Sequence, residues 1–83
     1  MNRHYVTQTV IETAQNIIGR TVDEAARFET IGFDSLECIE FTVAIEDVFG
    51  VEISCAERVT MEGVEDAVTL VMEKTRQDVA LAA

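Results

Sequence analysis

Apolar residues recur at Val6, Val10, Ala14 and Ile17, with Ile11 and Ile18 beside them. This is the spacing of one helix face, and it predicts helix I over about 4–18, with Gly19 as its C-terminal cap. From Arg20 to Phe33 the periodicity fades, although Val22, Phe28 and Ile31 are apolar enough to insert into a core. A connection of about fourteen residues is longer than a helical bundle normally needs, and such loops tend to be functional or irregular. Periodicity returns at Asp34 or Ser35 and runs without a breaker to Phe49, where Gly50 closes helix II. Asp34 is a good N-cap, and Glu37 three residues on resembles the acidic member of a capping box. Val51 and Ile53 read as a short extended connection, after which Ser54 caps a brief helix III over about 55–60. Helix IV, about 63–76, places Val64, Ala67, Val68, Val71 and Met72 on one side. Asp66 falls in its first turn and Lys74 and Arg76 in its last, as the helix dipole prefers. Residues 77–83 read as a frayed tail beyond an ordered core of about 4–76. No strand alternation survives. The expected fold is all-α: a small four-helix bundle of three longer helices and a short helix III, with a long loop between helices I and II, forming one domain over 1–83.

Helix II carries two apolar stripes. At about 100° per residue, Cys38, Phe41, Ile45, Val48 and Phe49 cluster on one side as an ordinary core stripe. Leu36, Ile39 and Val43 fall on the opposite side, interleaved with Glu40 and Asp47 and flanked by Glu37 and Glu46. A helix in a small bundle buries one face, so the second stripe either faces solvent as a binding strip or is covered by a neighbouring loop. The first reading predicts a partner with a hydrophobic groove rimmed by Lys or Arg.

Charge sharpens that picture. Sixteen acids against six bases give a formal net charge of −10. From Phe28 to Glu57 there are eight acids and no Lys or Arg. Such a surface argues against nucleic acid and anionic membranes and favours partners with basic surfaces. No apolar run is long enough to span a bilayer, and MNRHYVTQTV has no continuous apolar core of signal-peptide type, so a cytoplasmic location is expected. Cys38 and Cys55 fit no metal or redox spacing and are read as reduced thiols acting as small buried hydrophobes.

The segment GFDSLE, Gly32 to Glu37, places Ser35 at the start of helix II among carboxylates. A self-sufficient nucleophile needs a base in hydrogen-bond reach and donors for an oxyanion. The one imidazole, His4, belongs to the start of helix I, and GFDSLE lacks the second glycine of a G-x-S-x-G elbow. No Gly-rich phosphate loop, calcium-loop ladder or HExxH occurs. Catalytic and metal-binding residues are therefore not expected. Two readings of Ser35 stay open: plain capping chemistry, or a hydroxyl that carries a phosphate group at the positive end of a helix dipole.

GFDSLECIEFTVAIEDVFGVEIS is very similar to the G-x-D-S-L region of acyl carrier proteins. The resemblance extends over nearly the whole chain, through Phe28 before the motif, the Glu-rich helix ending in F-G-V-E-I, and G-V-E-D-A-V at the start of the last helix. It implies that Ser35 receives 4′-phosphopantetheine from coenzyme A through a phosphodiester, and that the thiol of the arm carries acyl groups as thioesters. By the same resemblance Asp34 and Leu36 are read by a phosphopantetheinyl transferase, which supplies the base and metal that Ser35 lacks. Leu36, Glu37, Ile39, Glu40, Val43, Glu46 and Asp47 match the helix that family members present to acyl-loading, condensing and modifying enzymes with basic docking patches. The resemblance further implies that Phe28, Cys38, Phe41, Ile45, Ala67 and Val68 line an interior that shelters an acyl chain. SCAERVTMEGV departs from the family pattern, lacking its Pro and much of its acid-rich start.

The implied protein is not an enzyme but a freestanding monomeric carrier serving a dissociated fatty-acid or polyketide-type pathway. Two other readings compete with it: a carrier of aminoacyl or other specialised acids, and an unmodified acidic helical adaptor.

Overall fold

Most of the described helix boundaries follow from a group that satisfies backbone the helix leaves unpaired. A computed structural model describes the backbone of residues 2–82 and the side chains of residues 2–76. Helix α1, Arg3–Ile18, starts where the Asn2 side chain accepts the Tyr5 N–H, and it ends at Gly19 in the left-handed region. Helix α3, Ser35–Phe49, is opened by Asp34 and closed by Gly50 at φ +65°. Helix α4, Cys55–Thr60, starts at a second capping box, between Ser54 and Glu57. Helix α5 spans Val64–Ala82. Among the described residues the fold is all-helical, with three long helices and two short ones.

Four expectations need correcting. The connection after helix I is not wholly irregular: Phe28–Ile31 forms one helical turn, α2, capped by Gly32 at φ +86°. A single turn is too short to leave a periodic signature, but it drives Phe28 into the core and holds Ile31 partly against it. Val48, assigned to the core stripe of helix II, is 53% exposed. It lies about 80° around the helix from the centre of the buried face. Cys55, read as a buried hydrophobe, is exposed. Finally, α5 runs past residue 76, so Lys74 and Arg76 do not form its last turn. Lys74 instead pairs with Glu57 of α4 at 3.0 Å. The expected frayed tail falls on residues 77–83, whose side chains lie outside the described residues.

Helix α1 packs against both α5 and α3. Val6, Val10 and Ala14 meet Phe41 and Ile45 of α3 and Val64, Ala67, Val68 and Val71 of α5 in one core cluster. The long connection joins that cluster through Val22, Phe28 and Phe33. Helix side chains also reach out to hold the connections. Gln15 Oε1 accepts from the Val22 N–H at 3.0 Å, and Glu46 Oε2 accepts from the Ile53 N–H at 2.8 Å.

A two-residue antiparallel bridge, Arg27 with Gly63, pins the loop before α2 to the start of α5. The Phe28 N–H donates to Glu62 O at 2.9 Å and the Val64 N–H to Ala26 O at 3.0 Å. Arg27 and Glu62 add an exposed ion pair at 2.7 Å. Backbones approach so closely here that a Cβ on Gly63 would lie 2.6 Å from Ala26 O. Neither partner is a flexible side chain, so Gly63→Ala is expected to cost about 1–3 kcal/mol, the usual penalty of overpacking. Denaturant unfolding, with the midpoint falling at unchanged slope, measures that cost.

Candidate functional site

Ser35 occupies the first helical position of α3, one residue after the cap. Asp34 Oδ1 accepts from the Glu37 N–H at 2.8 Å, and Glu37 Oε1 accepts from the Asp34 N–H at 3.0 Å. This reciprocal box settles which residue caps the helix. Asp34 does so, and none of the described hydrogen bonds engages the Ser35 hydroxyl. Ser35 is exposed, directly after the turn that Gly32 makes possible. That turn is braced by Arg20, whose guanidinium donates to Ile31 O across the connection.

The chemistry of this corner fits a covalently attached phosphodiester. An accessible, unengaged hydroxyl is available for attachment. The Ser35 and Leu36 N–H groups take part in none of the described hydrogen bonds, so they remain available to an anion at the positive end of α3. Both nearby carboxylates already accept backbone N–H groups, which engages part of the negative charge closest to the serine. His4 is exposed on the first turn of α1 and no described hydrogen bond links it to Ser35. No group of acids, His and Cys among the described residues is arranged to hold a metal ion.

The second stripe of α3 faces solvent. Leu36 is 62% exposed, Ile39 44% and Val43 57%. Glu40 and Asp47 are exposed beside them. Glu37 and Glu46 are half-buried, and each already holds a backbone N–H, Glu37 that of Asp34 and Glu46 that of Ile53. Those two acids therefore have structural work, whereas Glu40 and Asp47 are left entirely to the surface.

On the other side of α3, Phe41 and Ile45 are fully buried, together with Phe28, Ala67 and Val68. Cys38 is half-buried against the same cluster. Burial pushes its thiol above the ordinary cysteine range, Asp34 and Glu37 add to the rise, and Arg58 opposes it. The rings of Phe28 and Phe33 stack with centroids 5.1 Å apart, and Phe41 meets both edge-on at 5.0 and 5.9 Å. Phe33 is the member of this buried cluster that sequence reasoning missed. Its signal was its place just before the N-cap, where an apolar residue commonly packs back on the first turns of the helix.

Comparison with known proteins agrees with this arrangement. Residues 8–71 match the family model described as "Phosphopantetheine attachment site". The chain is 27% identical over 71 residues to a Mycoplasmopsis pulmonis protein named as an acyl carrier protein homolog, covering 86% of this chain and 97% of that one. It is 33% identical over 60 residues to the mitochondrial acyl carrier protein of Dictyostelium discoideum, a match over 61% of this chain that spans half the length of that relative. The crystal structure of an acyl carrier protein from Thermotoga maritima superposes with a TM-score of 0.78 at 30% identity, covering 93% of this chain and 94% of that one. With a family match over most of its length and a solved relative of the same fold, the chain belongs to the phosphopantetheine-attachment family of acyl carrier proteins, whose members carry 4′-phosphopantetheine as a covalent group.

Proposed function

We propose that Ser35 is the attachment point of 4′-phosphopantetheine and that the chain is a freestanding, monomeric acyl carrier of a dissociated fatty-acid or polyketide-type pathway. The observation that carries this reading is the division of labour at the start of α3. Asp34 and Glu37 cap the helix between them, leaving the Ser35 hydroxyl accessible and without a structural task. Ser35 supplies the oxygen of the phosphodiester, and the base that takes its proton belongs to the transferase. The attached arm supplies a thiol that holds acyl groups as thioesters. Asp34 keeps the helix start in one conformation while Leu36, 62% exposed beside the serine, offers the transferase an apolar contact. The Phe28, Cys38, Phe41, Ile45, Ala67 and Val68 cluster is the interior that yields to an acyl chain, with Phe33 as an added wall. A cytoplasmic location belongs to the same proposal. No described helix is long and apolar enough to cross a membrane.

Incubation with coenzyme A and a broad-specificity phosphopantetheinyl transferase tests the reading. Intact mass should rise by one phosphopantetheine; an unchanged mass overturns it. Loading of the product by fatty-acyl ligases, with none by aminoacyl ligases, then distinguishes the acyl carrier from an aminoacyl carrier.

The exposed strip Leu36, Ile39 and Val43 is the docking face for these partner enzymes, with Glu40 and Asp47 steering basic patches toward it. Reversing both charges, Glu40→Lys with Asp47→Lys, is expected to slow association with a partner enzyme by about tenfold or more at low salt. Stopped-flow measurements across a salt series check this. The wild-type rate should fall as salt rises, whereas the variant's should not.

A further inference from the structure

The segment that leads the chain into α3 has one polar tie to a distant part of the molecule. Past Phe28, the described hydrogen bonds of this segment are otherwise local: the Ile31 N–H donates to Arg27 O, the Phe33 N–H to Phe28 O, and Asp34 and Glu37 cap each other. The exception is Arg20, the residue after the Gly19 cap of α1, whose guanidinium donates to Ile31 O. Ile31 is the last residue of α2, and its carbonyl has no other described partner. Such carbonyls are the groups that a helix end leaves unpaired. The same guanidinium lies over Gly32, where a Cβ would stand 3.2 Å from Arg20 Nη2. Neither described ion pair involves Arg20. The turn is thus held at both ends, at Phe28 by the Glu62 carbonyl before α5 and at Ile31 by Arg20 after α1.

We propose that Arg20 is a positioning residue for the modification of Ser35. Its guanidinium fixes the α2–Gly32 turn to the end of α1, and through that turn the Asp34 cap, so that the hydroxyl is presented in one place. This inference rests on Ser35 being the attachment point. Ser35 lies three residues beyond Gly32, a reach of at most about 11 Å between Cα atoms. A shift of the unbraced end of α2 therefore passes directly to Asp34, whose N–H and carboxylate both belong to the capping box. Group transfer is sensitive to such shifts, since a displacement of about 1 Å can cost about a hundredfold in rate. Arg20 touches no reacting atom in this role. Its competing role is to neutralise the C-terminal ends of α1 and α2, neither of which has a base in its last turn.

The test uses the full chain with coenzyme A and a broad-specificity phosphopantetheinyl transferase. Intact mass and peptide mapping of the wild type first establish one group on Ser35; absence of that group overturns the attachment reading and this one together. Initial rates are then followed against carrier concentration for wild type, Arg20→Met and Arg20→Lys. Met keeps a long side chain without a donor, and Lys restores the donor. Docking is assigned to the outer face of α3, so Arg20→Met should lower kcat about tenfold with KM within about twofold of wild type. Arg20→Lys should recover most of that loss. Because Arg20 is exposed, the melting points should agree within about 4 °C. Hydrogen exchange should show the Glu37 amide losing protection in Arg20→Met while amides in the middle of α5 keep theirs. In unmutated protein, magnetisation transfer between the Arg20 side chain and the Gly32 α-protons checks the brace without any variant, and its absence overturns the proposal. An unchanged kcat in Arg20→Met also overturns it, as does a loss confined to KM, which makes Arg20 a transferase contact. A loss that Lys does not restore and that follows a lowered melting point reduces Arg20 to a stabilising residue. Each of these three outcomes leaves attachment at Ser35 intact.

Discussion

Ser35→Ala is expected to abolish addition of phosphopantetheine completely while leaving the fold intact. The alanine removes the only atom proposed to form the phosphodiester bond, so the loss is all-or-none in intact mass. Stability should hardly change, because Asp34 and Glu37 supply both capping hydrogen bonds and Ser35 supplies neither. Thermal unfolding within about 0.5 kcal/mol of wild type is the expected companion result, as for other exposed sites without a structural role. Asp34→Ala should do the reverse to stability. It removes the cap and is expected to cost about 1 kcal/mol while keeping the hydroxyl in place. Together the pair separates capping from anchoring. Residual modification of the alanine variant at another side chain would refute Ser35 as the anchor.

Phe41→Ala should produce the largest loss of stability of any single substitution in the core. Phe41 is fully buried and touches the rings of both Phe28 and Phe33. Its removal deletes a large apolar surface and leaves a cavity that the facing rings cannot fill without leaving their rotamers, a change that typically costs about 3–5 kcal/mol. A domain of this size rarely holds more than about 3–5 kcal/mol in its core, so the variant should be close to half unfolded at room temperature. At about 4–8 °C per kcal/mol for a chain this long, the midpoint should drop by well over 10 °C. Circular dichroism melts measure it directly. Phe41→Leu keeps most of the volume and should retain most of the stability. If Phe41→Ala melts like wild type, the aromatic cluster is not what joins the long connection to α3.

The positions of the helices were legible because they are written in local chemistry. Asp34 with Glu37, and Ser54 with Glu57, mark helix starts through groups three residues apart, and Gly19 and Gly50 mark ends by their tolerance of the left-handed region. The solvent-facing stripe of Leu36, Ile39 and Val43 was equally legible, since a helix turns by the same angle wherever it lies. The turn Phe28–Ile31 was not, because one turn is shorter than the period that reveals a helix. Val48 and Cys55 were misplaced for a different reason: whether a residue is covered depends on which neighbour lies over it. The role of Gly63 was hidden too, since only the approach of the Ala26 backbone excludes a side chain there.

By itself, then, the sequence determined the all-helical class, the start of α3 with Ser35 just inside it, the acidity around that start and the resemblance that implied a phosphopantetheine carrier. These depend on neighbours a few residues apart and on composition, both of which are complete in one dimension. Only the structure decided that the Ser35 hydroxyl, just inside the Asp34 cap, is left unengaged. It alone stacked Phe33 on Phe28 against Phe41 and tied Arg27 to Gly63. Those contacts join residues five to thirty-six positions apart. Their geometry is set by how the helices pack, which no local pattern encodes.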